Sequence, residues 1–456
     1  MNYNENTEEQ IIDEEQLIEA LNQNDMATFR EGFFQLHPYD RATLYKKVDA
    51  ELRQRIYYYL SPKELAEIFE LSEIEDEDYK VFLKEMDSVY AANMIANMFV
   101  DNAVDVLNEL DKAQVVSYLT IMDQESAAEI KALLHYEEYT AGSIMTTEFV
   151  VIPQDSTVRS AMTILRNAAP NAETIYYIFV VDDDARLTGV VSLRDLIIAH
   201  EDTLIHTIMN DRVVSVLVSE DQEDVARTIK DYNFLAVPVV DFQQHILGII
   251  TVDDIIDVLD EEATDDYSKL AAVSDISSSD KNSLSAAKKR LPWLLILLVL
   301  GMLTANLIGA FEETISQVAL LAAFIPLIAG TAGNSGTQAL AVAVRGIATR
   351  DIEEESKMKL LLREAGTGLL TGTICAIFVV GLIYVWKQEF LLGLLVGAAI
   401  LVSIFVATIS GTLIPLFMHK MKVDPAVASG PFITTLNDLI STLIYLGLAT
   451  TFISSL

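Results

Sequence analysis

Five apolar stretches fill the last third of this chain, at residues 292–311, 315–348, 360–386, 391–418 and 426–456. Each reaches the roughly 20 residues that a helix needs to cross a bilayer. Hydrocarbon offers the backbone no hydrogen-bond partner, so stretches of this kind must fold as helices. The sequence therefore predicts a five-helix membrane domain over residues 291–456, preceded by a large polar region.

The charge divides along the same line. Of 67 acidic and 31 basic residues, 57 and 23 precede Leu291, a net of −34, which leaves 10 and 8 after it, a net of −2. A field of that sign repels nucleic acid and anionic lipid and attracts cations. The single cysteine, Cys375, lies in an apolar stretch and excludes an intrachain disulfide or a cysteine metal site. Residues 1–15 are polar and acidic, lack a signal-peptide pattern, and are expected to be a disordered tail.

Topology follows from Lys and Arg. Lys288, Lys289 and Arg290 precede the first span. Arg345, Arg350, Lys357, Lys359 and Arg363 surround the second loop, and Lys420 and Lys422 occupy the fourth. The first loop has Glu312 and Glu313 with no basic residue, and the third has one lysine. Alternate loops are basic, which places the N-terminus in the cytoplasm and the C-terminus outside the cell membrane.

Residues 16–141 read as short stacked helices, with apolar side chains at three- and four-residue spacing such as Leu65, Ile68 and Phe69. Asp101 and Asp105 fall one turn apart on one face. Sequence alone leaves open whether that face is merely solvated or holds a cation. From residue 142 the pattern becomes a repeat. Tyr177-Ile-Phe-Val-Val-Asp182 followed by Gly189-Val-Val-Ser-Leu-Arg-Asp-Leu196 returns, 59 residues on, as Ala236-Val-Pro-Val-Val-Asp241 followed by Gly248-Ile-Ile-Thr-Val-Asp-Asp-Ile255. Each copy opens on a Met-containing turn and alternates strands with helices, giving units at 142–203 and 204–262. The second runs into a helix carrying Asp257, Glu261 and Asp265 four residues apart, a spacing at which like charges repel.

Two membrane stretches hold groups that hydrocarbon disfavours. The second contains Pro326-Leu-Ile-Ala-Gly-Thr-Ala-Gly-Asn-Ser-Gly-Thr-Gln-Ala339. Small residues there suit helix packing, whereas Asn334 and Gln338 offer amide oxygens to a hydrated ion. The last contains Gly430-Pro-Phe-Ile-Thr-Thr-Leu-Asn-Asp438, where Asp438 reads as the one carboxylate deep within a span. No Lys or Arg lies deep in any span to pair with it, which points to ion binding or proton relay. Thr434, Thr435 and Asn437 add neutral oxygens. Oxygen-only ligands suit Mg²⁺, Ca²⁺ or Mn²⁺. One Asp per chain is a poor cage for bare Ca²⁺, whereas Mg²⁺ keeps its waters and binds through one or two carboxylates.

The run from Pro326 to Gln338 resembles the signature of the MgtE family of magnesium channels, with Ala332 where many members have glycine. The tandem repeat resembles a pair of CBS domains. Together the resemblances cover nearly the whole chain. They imply a multidomain membrane protein: an all-α superhelical N-domain (16–141), an α/β tandem CBS pair (142–262), a linking plug helix (263–290) and five transmembrane helices. The implied function is a homodimeric, Mg²⁺-selective channel rather than an enzyme, shut by cytosolic Mg²⁺; a proton- or ion-coupled carrier is the alternative. The resemblance makes Asp438 the ion-binding residue of the pore. It implies regulatory Mg²⁺ on Asp101 and Asp105, with Asn102 where an Asp is common. The wider set expected to hold Mg²⁺ is Asp221, Glu223, Asp254, Asp257, Glu261, Glu262, Asp265, Asp266 and Asp424. CBS pairs often grip a nucleotide, so ATP is a further expectation, with Tyr177 and Phe234 flanking adenine and Arg194 and Asp195 meeting phosphate and ribose. An empty pair serving only as a dimer spacer is the other reading.

Overall fold

The computed structural model describes residues 14–70, 76–273, 283–348 and 354–452. Nearly all of the expected acidic tail, most of the polar stretch after Val273, and Arg350 lie outside them. The chain divides into two compact units, at residues 1–260 and 261–456.

The first unit begins with short helices, from α1 (Glu14–Gln23) to α10 (Gln124–Leu133). Their lengths, mostly nine or ten residues, are set by acidic caps. Asp25, Asp49, Asp87, Asp111 and Asp123 each precede a helix and accept hydrogen bonds from its first backbone N–H groups. Such a cap contributes about 1 kcal/mol. Part of the acidic excess is thus structural. One apolar core runs from Leu17 through Phe69 and Leu107 into the CBS region at Val237 and Ile250. At its edge Arg53 forms a two-pronged pair with Glu85 at 2.8 Å and lies 4.8 Å over the Phe82 ring.

The repeat folds as two matching three-stranded sheets. In the first, β1 (Val151–Pro153) runs parallel to β2 (Tyr177–Val181), which pairs antiparallel with β3 (Leu187–Ser192). Helix α11 (Val158–Ala168) joins β1 to β2, and α12 (Leu193–Ile198) follows β3. The second repeats the plan with β4 (Val216–Leu217), α13 (Gln222–Tyr232), β5 (Ala236–Val240), β6 (Ile246–Thr251) and α14 (Val252–Leu270). Tyr177 opposes Ser192 as Ala236 opposes Thr251, and both hairpins shift register at the equivalent step. The Met turns explain the glycines. A Cβ at Gly248 would lie 2.6 Å from the Thr146 carbonyl and 2.9 Å from Met145 Sδ, and one at Gly189 would overlap Met209. Each turn therefore packs on the other copy's glycine.

Among the described residues of the second unit, five helices are long and apolar enough to cross a membrane: Ala286–Ala310, Ala319–Ile347, Lys357–Lys387, Phe390–Lys420 and Gly430–Phe452. They belong to α15 (Ser283–Ala310), α17 (Ile325–Ala348), α18 (Glu354–Lys387), α19 (Phe390–Lys420) and α20 (Gly430–Phe452). A short α16 (Glu312–Gln317) and a 3₁₀ turn, Ala319–Phe324, precede α17. Pro326 is the second residue of α17, where a missing N–H costs nothing, and not mid-span as its sequence setting suggested. The glycine-rich run beyond it is continuous helix.

Those glycines seat α17 against its neighbours. A Cβ at Gly411 of α19 would overlap the Gly336 carbonyl, and one at Gly336 would overlap the Asn437 amide of α20. On α15, by contrast, nothing lies within 4 Å of a Cβ at Gly301. Gly411→Ala should therefore lower the thermal midpoint of the detergent-solubilised protein, by the equivalent of about 1–3 kcal/mol for overpacking. Gly301→Ala should leave it unchanged. Equal midpoints for the two variants would contradict this account of the packing.

Candidate functional site

In the membrane unit, α20 places Asp438 against α17. Its Oδ1 is buried and has no hydrogen-bond partner among the described residues. A Cβ at Gly333 would stand 3.3 Å from that oxygen, so the glycine makes room for the carboxylate. Thr434, one turn before, shares a hydrogen bond with Thr337 of α17 at 3.0 Å, and Thr435 donates to the Pro431 carbonyl at 2.8 Å. Asn437 points elsewhere: it is 1% exposed, and its Oδ1 accepts from Ser410 of α19 at 2.8 Å. It ties α20 to α19 within the chain. Asn334 and Gln338 lie one turn apart on the exposed side of α17. The structure thus gathers Asp438, Thr434 and Gly333 into one place and separates Asn437 from Asn334 and Gln338.

A second buried carboxylate lies near the start of the third span. Glu364 of α18 is 7% exposed, one turn beyond Leu360, which packs on Ala343, Ile347 and Leu416. Its carboxylate lies 3.4 Å from Arg363 Nε. The sequence placed it at the start of its span, one turn from the basic loop, where burial could not be read.

A second cluster lies where α14 ends. Leu270 packs on Leu340, Val344, Ala426, Ala428 and Ile433. Lys269 bonds both Asp265, one turn earlier, and Asp424 in the α19–α20 connection, 2.5 Å from Oδ2 of the latter. The other Asp424 oxygen accepts from the Ala426 N–H at 2.8 Å. Burial first, then the charge of Asp424, raises the Asp266 carboxyl above its ordinary value, with Lys269 pulling the other way. Burial alone would depress the Lys269 ammonium, but its bonds to Asp265 and Asp424 hold it above the usual lysine range. Asp257, Glu261 and Asp265 occupy the exposed side of α14, and Glu262 is half-buried.

The first unit holds a third cluster. Asp101, in α8 (Val100–Asn108), is 6% exposed. Burial first, then the charges of Asp254 and Glu173, raises its carboxyl well above the ordinary range. Asp254, hydrogen-bonded to Thr251, is pushed up to about 6 by burial and by Asp253. Glu173 is pushed up to about 8 by burial and by Asp254, Asp253, Glu70 and Glu148, and its Oε2 is buried without a hydrogen-bond partner. Glu70 reaches about 7, mainly through burial. Asp105 adds its charge to Asp101. Among the described residues no three His, Cys, Asp or Glu side chains already form a metal cage. Two expected ligands have local duties: Asp221 caps α13, and Glu223 pairs with Arg227 at 2.8 Å. Sequence reasoning missed Glu173 and Glu70, which lie far from Asp101 and Asp254 along the chain.

Between the two CBS copies is a cleft of about 170 Å³, lined by Tyr177, Phe179, Asn210, Arg212, Phe234 and Pro238 among others. Drug-sized ligands fill roughly 300–1,000 Å³, so the cleft suits one ring system with the rest of a ligand outside. It brings Tyr177 and Phe234 together as expected. Arg194 and Asp195 are not in the lining, and Asp195 closes a capping box with Ser192. Arg212 supplies the cation on the lining itself.

The pH dependence of the first unit follows from the signs. A carboxyl with a raised folded-state pKa takes up a proton that the unfolded chain has already released. Its contribution is then most favourable at low pH and is lost as pH rises through the folded value. For Asp254 the window runs from 3.8 to about 6, and for Glu173 from 4.5 to about 8. Glu64, held down to about 2 chiefly by Arg30, acts with opposite sign but only below 4.5. With divalent cations chelated, the melting temperature of residues 14–260 should fall between about pH 5 and pH 8. A flat or rising profile would contradict the burial of these acids.

Comparison with known proteins agrees with the fold. The divalent cation transporter family MgtE matches residues 325–448, the MgtE intracellular N domain matches 36–139, and CBS domains match 141–202 and 205–261. The magnesium transporter MgtE of Enterococcus faecalis is 53% identical over 452 residues, 99% of each chain. The crystal structure of the soluble part of a magnesium transporter is 56% identical with a TM-score of 0.54, covering 55% of this chain and 98% of that one. The cytosolic domain of the Mg²⁺ channel MgtE, crystallised in complex with ATP, is 38% identical with a TM-score of 0.51, covering 54% and 99%. The chain is a member of the MgtE family of divalent cation transporters.

Proposed function

We propose that this transporter carries Mg²⁺ into the cell as a homodimeric channel of the plasma membrane, closed by Mg²⁺ bound to its cytosolic acids and tuned by ATP. The observation that carries the reading is the buried, unpartnered Oδ1 of Asp438 in the last membrane helix. A carboxylate there is costly without a cation. Mg²⁺, which gives up its waters reluctantly and binds through few carboxylates, suits one Asp per chain on a two-fold axis.

Three exposed surfaces favour a dimer, the default symmetric assembly. No residue in the apolar window of α15 is buried in the single chain. Asn334 and Gln338 show amides on the exposed side of a membrane helix, where a second copy or a shared aqueous path would satisfy them. Ile197, Ile198 and Ile256 are more than 60% exposed on α12 and α14. The basic loops support a cytoplasmic N-terminus and an outside C-terminus.

For gating, carboxylates repel one another within each cluster, the one around Asp101, Glu173 and Asp254 and the one around Asp266 and Asp424; Mg²⁺ would favour the compact arrangement of each. Swinging a gate from 1:99 to 99:1 needs roughly 5.5 kcal/mol. A site at about ten times its dissociation constant supplies ~1.4 kcal/mol, so about four ions are required, and a spread of acids serves better than one tight site. Domains at 16–141, 142–262, 263–290 and 291–456 belong to the same reading. ATP would place its adenine between Tyr177 and Phe234, with Arg212 toward phosphate; a relative's cytosolic domain was crystallised with ATP.

A proton-coupled carrier would also use a buried Asp. Its reversal potential would move with pH, whereas a channel's follows the Mg²⁺ gradient alone. Asp438→Ala should reduce Mg²⁺ uptake in proteoliposomes to near background while leaving the thermal midpoint close to wild type. Asp438→Asn should impair it too, because volume is kept and charge is lost. Normal uptake by well-folded Asp438→Ala would overturn the assignment.

A further inference from the structure

Three candidates stand out beyond the reading above. The exposed groove at Asn24, Arg55 and Tyr58 shows nothing that identifies a ligand. Glu364 is buried, yet its carboxylate already lies beside Arg363. The third is Lys269, and it carries furthest.

We infer that Lys269 is a tethered cation that holds the end of α14 against the membrane unit in the absence of Mg²⁺. The inference rests on the gating reading above, since it concerns what the docked helix does at low Mg²⁺. Three observations within the second unit support it. The ammonium sits between two carboxylates, one on its own helix (Asp265) and one 155 residues away in the α19–α20 connection (Asp424). Asp424 is preset to receive it: one oxygen caps the turn at Pro425–Val427 and the other faces Lys269. Apolar packing of Leu270, with Ser268 3% exposed and Ala272 6% exposed, fixes the flanking residues. The ion pair therefore closes a seat that packing has already aligned.

An ammonium on a side chain differs from a dissolved ion in one respect that matters here. It is present at every Mg²⁺ concentration, and it bears one charge where the seat and its neighbours Glu262 and Asp266 bear several. Lys269 therefore gives a basal closure that needs no metal, while leaving repulsion for Mg²⁺ to relieve. Mg²⁺ gains the Lys269-facing oxygen of Asp424 only when the ammonium leaves.

Two consequences follow for Lys269→Met, which keeps the apolar stem and removes the charge. Without Mg²⁺ the helix end should undock more often, because Asp265, Asp266 and Asp424 face one another uncompensated. At saturating Mg²⁺ the vacated carboxylates are available to the ion, so docking should return. The Mg²⁺-regulated range should widen. A half-exposed ion pair of this kind shifts such an equilibrium roughly two- to fivefold. Lys269→Arg, which keeps the charge, should resemble wild type.

The test uses the full chain in lipid nanodiscs, with hydrogen exchange over residues 262–273 read by mass spectrometry and Mg²⁺ flux read on the same variants. With Mg²⁺ chelated, Lys269→Met should exchange several-fold faster than wild type and Lys269→Arg, and saturating Mg²⁺ should bring all three together. Asp424→Asn, which can still cap Ala426, is the reciprocal variant: with Mg²⁺ chelated it should also exchange faster than wild type, and saturating Mg²⁺ should restore it less than Lys269→Met. Faster exchange with raised Mg²⁺-free flux supports both the latch and the gating reading. Faster exchange with unchanged flux supports the latch and contradicts gating by this helix. Unchanged exchange in both Lys269→Met and Asp424→Asn overturns the inference.

Discussion

Carboxylates that face one another away from water must take up protons, find fixed cations or bind metal. This chain shows the first two outcomes and leaves one buried carboxylate without an answer. Asp101, Glu173 and Asp254 are packed so that burial and mutual charge raise them toward neutrality. Asp265 and Asp424 are answered by Lys269. Asp438 is answered by nothing among the described residues. On the proposed gating, the compact arrangement of the acidic regions depends on the cation present.

The same acids also build the fold. Asp25, Asp49, Asp87, Asp111 and Asp123 start helices by accepting backbone N–H groups. These caps face solvent, where an ionised carboxylate accepts such bonds at no desolvation cost. Glu70 and Asp254 also accept backbone N–H groups, from Phe99 and Thr251, but are largely buried. Net charge alone does not distinguish these roles. Exposure and hydrogen-bond partners do.

Much of the architecture was legible because it is periodic or local. Five long apolar runs gave five helices, and a repeat of 59 residues gave two sheets with equivalent registers. Tyr177 and Phe234 were expected together because the repeat resembles a nucleotide-gripping CBS pair, and the cleft lining holds both. What stayed hidden depends on contacts far apart in the chain. Nothing near Lys269 announces Asp424, nothing near Asp101 announces Glu173, and Arg212 reaches the cleft from a loop without regular spacing. Asn437 was read with Asp438 because they are adjacent, yet adjacent helical residues face different ways. The burial of Asn437 beside Gly336 and Ser410 follows from that 100° turn.

The central claim is that cytosolic Mg²⁺ closes this transporter by relieving repulsion among several carboxylates. Open probability in excised patches, with Mg²⁺ varied only on the face bearing residues 14–260, tests it most directly. The account predicts a steep fall with rising Mg²⁺, steeper than single-ion binding gives, and no matching effect from the opposite face. An open probability independent of Mg²⁺ on that face, or a shallow one-ion titration, would contradict it.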